Sequence, residues 1–162
     1  MKEIQLTQGK VALVDDQDFD YLNQWKWFAQ YDKRSNSFYC MRWRGEKDGE
    51  GTRHIRMHRA ILMAKKGEMV DHINHRTLDN RRENLRICDS LINNHNSGMP
   101  KTNKSGFVGV CFDTNRKKWK AFLHDKNKIV NLGRFEMKEE AIEARQKANI
   151  IYGFHENHGK IY

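Results

Sequence analysis

The run VDHINHRTLDNRRENLRICDSLINNHNS, residues 70–97, is unusually dense in side chains that bind metals, phosphates or protons. Residues 70–73 and 85–88 read as two short strands bracketing a polar loop, and Asp89 is placed to cap a helix running through Asn96. That order of elements would fold Asp71 and His72 back towards the first turns of the helix, where Asn93 can face them. Neighbouring strand residues point to opposite sides, so Asp71 and His72 can address different partners.

Hydrolysing a phosphodiester at neutral pH needs a base for the attacking water, a divalent cation for the leaving oxygen, and groups to hold phosphate. Asp71 and Asn93 offer hard oxygen donors, of which Mg2+ takes one or two from protein and completes its shell with water and phosphate. Arg76, Arg81, Arg82 and Arg86 can supply phosphate contacts, although Arg81, Arg82 and Arg86 are equally placed to bridge local carboxylates.

The chain has 162 residues and a net charge of +9. The length excludes a large multidomain enzyme, and the charge makes nucleic acid the default partner. Residues 1–69 carry a net +3, 70–97 are neutral and 98–162 carry +6, so the excess gathers away from the dense run. Cys40, Cys88 and Cys111 are odd in number and form no C-x-x-C pair, which argues against a disulfide framework or a thiolate zinc site. No apolar run approaches the roughly 18 residues that cross a bilayer. The opening MKEIQLTQGK lacks the apolar region of a secretory signal. No membrane partner and a cytoplasmic location are expected.

Working outward, Ile4, Leu6, Val11 and Leu13 around Gly9 read as a hairpin. Asp15, Asp16 and Asp18 then open a short helix with Phe19, Leu22 and Trp25 on one face. Residues 38–43 and 55–57 read as strands around a Gly- and charge-rich turn, and 59–64 as a short helix. The polar segment NSGMPKTNKSG, holding the only proline, Pro100, reads as a domain boundary. Beyond it, 107–112, 119–123 and 129–132 read as three strands. Residues 136–152 read as a helix with Ala141, Ala144, Ala148, Ile151 and Tyr152 on one stripe.

The dense run closely resembles the HNH endonucleases of the phage and homing type, whose motif combines DH, a loop with DNR and NLR, and an N-rich helix. The upstream IRMHRAI and VALVDDQDFDYLNQWKW segments also look like the sequence preceding that motif. The resemblance implies Asp71 and Asn93 as metal ligands, His72 as general base and Asn84 as the residue tying the loop together. A neighbouring Asn could replace Asn93 as ligand. His58, His75 and His95 match no ligand position.

The segment 105–152, with GFVGV, KKWKAFL, NLGRF and EEAIEA, resembles the AP2 DNA-binding domain, in which a three-stranded sheet lies in the major groove. Alternation would turn Trp119, Ala121 and Leu123 to the helix and Lys118, Lys120, Phe122 and His124 to the groove. Arg116, Lys117, Lys118, Lys120, Lys128 and Arg134 would hold phosphate, with Asn131 and His124 reaching bases. Outer positions held by Val108, Cys111, Asp113, Ile129 and Asn131 depart from that family's base-reading residues, so its sequence preference does not carry over.

The two resemblances together imply an α+β chain. It would hold an HNH unit of the ββα-metal type at 1–97, with the motif at 69–97 and an amino-terminal β-rich extension. A linker at 98–106, an AP2-like module at 107–155 and a tail at 156–162 would follow. They imply a DNA endonuclease using one Mg2+ or Mn2+ and no organic cofactor, acting on duplex DNA, with a monomer favoured and a dimer left open. A phage-encoded protein associated with a bacterial nucleoid fits that class. A non-cleaving DNA-binding regulator with a degenerate HNH fold is the alternative.

Overall fold

The structure, a computed structural model, describes residues 1–49, 53–126 and 128–160. Parts of the two turns expected near 44–54 and 125–128, and the last two residues of the tail, lie outside these. The described residues form a mixed α+β arrangement of small antiparallel sheets, divided into two compact units, Met1–Asp89 and Ser90–Tyr162.

In the first unit, β1 (Lys2–Gln5) and β2 (Val11–Val14) form the expected hairpin. Its inward residues are Ile4, Ala12 and Val14, not Val11 and Leu13. All four β2 residues are apolar, so their pattern could not set the face. The Leu13 N–H and carbonyl instead bond Leu78 and Asn80 at 2.9 and 2.8 Å, tying the strand to the loop of the dense run.

Helix α1 (Asp16–Leu22) carries Asp16 and Asp18 in its first turn and buries Leu22. Trp25 lies beyond the helix end and still packs on the core. A strand absent from the expectations, β3 (Phe28–Asp32), pairs with β4 (Ser37–Trp43), which pairs in turn with β5 (His54–Arg56). Helix α2 (Met57–Ile61) follows directly, and β6 (Met69–His72) pairs with β7 (Leu85–Cys88). Leu22, Trp27, Cys40, Met57, Ile61 and Leu85 join in one core. Arg42 on β4 reaches into it, 4% exposed, bonding Asp48 through two nitrogens at 2.6 Å with its guanidinium 4.3 Å from the Trp25 ring.

The second unit opens with α3 (Ser90–His95) and continues through a sheet in the order β10-β9-β8, formed by β8 (Val110–Asp113), β9 (Lys118–Asp125) and β10 (Lys128–Phe135). Helix α4 (Lys138–Ile151) packs on that sheet, and Ala121 and Ala141 are fully buried where they meet. The small alanines permit the close approach. The helix's buried line runs through Ala141, Arg145 and Ala148. Ile151, expected on it, is 79% exposed in the last turn, just before the chain reverses at Gly153.

The expected linker is an integral part of this unit. The Met99 N–H bonds the Lys160 carbonyl, and the Gly159 N–H bonds the Ser97 carbonyl at 2.9 Å. Asn103 accepts from the Gly106 N–H at 2.7 Å and donates to the Phe107 carbonyl at 3.0 Å. The polar side chains that suggested a solvated tether satisfy backbone groups instead. The two compact units divide after Asp89, ahead of the expected linker. Among the described residues no helix is long and apolar enough to cross a membrane.

Candidate functional site

Strands β6 and β7 bring Asp71 opposite Arg86 and His72 opposite Leu85. The connecting loop is held by Asn84, which is 4% exposed. Its side chain donates to the Asp79 carbonyl at 2.7 Å and accepts from the Asn74 N–H at 2.8 Å, while its backbone carbonyl accepts from the Ile73 N–H at 2.9 Å. Thr77 extends the anchoring by donating to the Phe38 carbonyl at 2.6 Å. One amide side chain thus ties two points of the loop together, meeting the Asp79 carbonyl and the Asn74 N–H.

Alternation on β6 sends His72 inward, where it is 5% exposed. Its Nε2 lies 3.4 Å from the Asn80 side-chain oxygen, its ring 4.9 Å from that of His58 and 6.2 Å from that of Tyr39. Burial lowers the His72 pKa against the pull of Asn80, Asp71 and Asp79, which favour the charged form. His58 is driven further, to about 2, by burial first and then by His72, Arg56 and Arg59. Burial thus disfavours the charged form of both imidazoles, and a proton acceptor must be uncharged.

The run's arginines mostly meet carboxylates. Arg86 bonds Asp71 Oδ2 through Nε and Nη2 at 3.1 and 2.9 Å. Arg81 forms a fork on Asp79 at 2.8 and 2.7 Å. Burial pushes Asp79 upward, and hydrogen bonds from Arg81 and Asn74 overcome it, leaving the carboxyl below its ordinary value. Arg82 forks onto Asp18 of α1 at 2.8 and 2.7 Å, and its backbone N–H donates to Asp15 at 2.7 Å. Of the two readings open for Arg81 and Arg82, the carboxylate bridges are present in the structure. Arg76 remains exposed.

Asn93 lies on α3, in the second unit. Among the described residues no three His, Cys, Asp or Glu side chains group as a metal site. The donors foreseen are one carboxylate and one amide oxygen, and their hard chemistry fits Mg2+ or Mn2+. His58, set aside as a ligand, emerges as the ring against His72, together with Asn80 and Tyr39. Asn80 sits inside the quoted DNR triplet and His58 inside IRMHRAI, so position in a motif was the available signal.

In the second unit, β9 alternates as foreseen: Ala121 and Leu123 are buried and His124 is exposed. The outer face carries Lys118, Lys120, Phe122 and His124, with Asn131 beside Phe122 and Arg134 beside Lys120 in register. Part of its charge is already compensated. Lys118 pairs with Glu136 at 2.7 Å, and Arg134 pairs with Asp113 at 3.1 Å. Arg116 is 4.0 Å from the same Asp113 carboxylate. Lys120 lies 5.3 Å from the Phe122 ring centre. Lys117 occupies a turn with positive φ, and Lys128 pairs with Asp125, which places it on the face opposite His124.

No family model, curated protein or solved structure matches the chain.

Proposed function

We propose that the protein is a divalent-metal-dependent DNA endonuclease of the HNH homing and phage type. In its finer form the proposal is a ββα-metal unit, with β6 and β7 as its strands and α3, next in the chain, as its helix. The AP2-like sheet would assist targeting by raising the local concentration of duplex. The observation that carries the reading is the inward-facing His72, fixed beside Asp71 on a hairpin whose loop is braced by Asn84.

In this reading His72 accepts a proton from water as the hydroxyl oxygen bonds to phosphorus. The bond from phosphorus to the 3'-oxygen breaks, leaving 5'-phosphate and 3'-hydroxyl ends once that oxygen is protonated. Asn80 orients the imidazole, and Asp71 is the carboxylate donor. Asn93 enters as second donor from the motif spacing alone. A bound Mg2+ or Mn2+ supplies charge stabilisation at the phosphate and the departing oxygen.

The non-cleaving alternative draws on one contact: Arg86 donates twice to Oδ2 of the Asp71 carboxylate proposed as metal donor. Cleavage of a supercoiled plasmid carrying host or replicon DNA, in Mg2+ and in EDTA, separates the readings. Nicking or linearisation that EDTA abolishes supports the nuclease; DNA retention without cleavage supports the regulator.

A further inference from the structure

The second unit forms a half-open cavity of about 1030 Å³ whose lining includes Arg145, His95, His158, Lys104 and Lys126 and, among the described residues, no aspartate or glutamate. Arg145 is 2% exposed, and its Nε and Nη1 have no hydrogen-bond partner. Its Nη2 approaches His158 Nε2 at 3.5 Å, and its guanidinium lies 4.4 Å from the centre of the Phe154 ring. Burial pulls this guanidinium down to about 10. Gly109 makes room for it: with φ at +79°, the glycine lacks a side chain whose Cβ would collide with Arg145 Nε and the Phe122 carbonyl. On the same wall His95 is 7% exposed, stacks on Phe154 at 3.9 Å, and has an Nε2 without a partner.

A buried guanidinium with no carboxylate is costly unless an anion meets it. We propose that this cavity is a binding site for an organic phosphate bearing a planar ring, a nucleotide. The phosphate would take the unmet Nε and Nη1 of Arg145 and the Nε2 of His95, and the ring would lie against Trp119, which belongs to the lining on the helix side of the sheet. The volume suits a ligand of that size. Lys104 and Lys126, exposed and also part of the lining, would add attraction for the anion. The site lies wholly in the second unit and does not depend on the proposed chemistry at His72.

The test is titration calorimetry on the full chain in EDTA with deoxyadenosine monophosphate, its nucleoside, inorganic phosphate and a short single-stranded oligonucleotide. The nucleotide should bind saturably and the nucleoside at least about tenfold more weakly, the scale of one lost charge-assisted hydrogen bond. Binding by the strand alone would assign the cavity to a nucleotide of nucleic acid; binding by the mononucleotide assigns it to a free ligand. Arg145→Met should abolish either. Free of ligand, that variant should melt at or above the wild-type temperature, because an unpaired buried charge is removed. Should it fail to fold, the double variant Lys104→Ser with Lys126→Ser decides, with a loss of roughly tenfold expected. Absence of binding by all four probes, or binding that none of these substitutions weakens, overturns the proposal.

Discussion

The two units treat buried arginine in opposite ways. In the first, Arg42 enters the core with Asp48 bonded to two of its nitrogens, and the exposed Arg82 in turn forks onto the buried Asp18. In the second, Arg145 is buried against an aromatic ring with two nitrogens unmet. A paired guanidinium fixes geometry, because its planar fork admits few arrangements. An unpaired one leaves a demand that a ligand can meet. The neutral motif is therefore a braced scaffold, and the surplus charge of the chain lies in the unit whose cavity wall holds the unmet guanidinium.

The sharpest way to break this contrast is to remove a carboxylate from the braced side. Asp48→Ala strands Arg42 in the core and should cost about 3 kcal/mol, measured by urea unfolding. A change below about 1 kcal/mol would mean that the fork does not brace the first unit. Next is the loop: Asn84→Ala deprives the Asp79 carbonyl and Asn74 N–H of their partner and should cost about 2 kcal/mol.

Acid sensitivity should follow from the two buried imidazoles. Their folded pKa values lie below the unfolded value, so the unfolded chain binds more protons as pH falls. Stability should be full above about pH 6.5 and decline below it, His58 adding a slope of about 1.4 kcal/mol per pH unit and His72 acting in the same direction. His58→Phe should remove that slope between about pH 6 and 4; an unchanged acid limb would contradict the burial argument. The smallest effect belongs to the outer sheet face. Lys120→Ala should reduce the log-log salt slope of DNA binding by about 0.9, one phosphate contact. A slope equal to that of the unsubstituted protein would take Lys120 out of the interface.

What the sequence made legible was local. Alternation in KWKAFL placed Ala121 and Leu123 inside, and two short strands around a polar loop emerged as β6 and β7. Distant pairing was hidden. Arg82 meets Asp18 across 64 positions, and nothing near either residue announces the other. The segment around Pro100 looked solvated because its partners, Ser97 with Gly159 and Met99 with Lys160, come from the far end of the chain. Arg145 was invisible for a different reason: on a helix that also carries Lys138, Glu139, Glu140, Glu143 and Lys147, a buried arginine reads as one more solvated position. In the candidate site, the Asp71–His72 pair stood out by type, whereas His58 and Asn80 became partners of His72 only through folding.

The central proposal rests on His72, and its most direct test compares wild type with His72→Ala in Mg2+-dependent cleavage of supercoiled plasmid carrying host and replicon DNA. Wild type should cut, EDTA should stop it, and the variant should be slower by about 10²- to 10⁴-fold, the contribution of a positioned general base, with its DNA affinity retained. Equal cleavage by both proteins, or equal inertness across the same DNA, would contradict it.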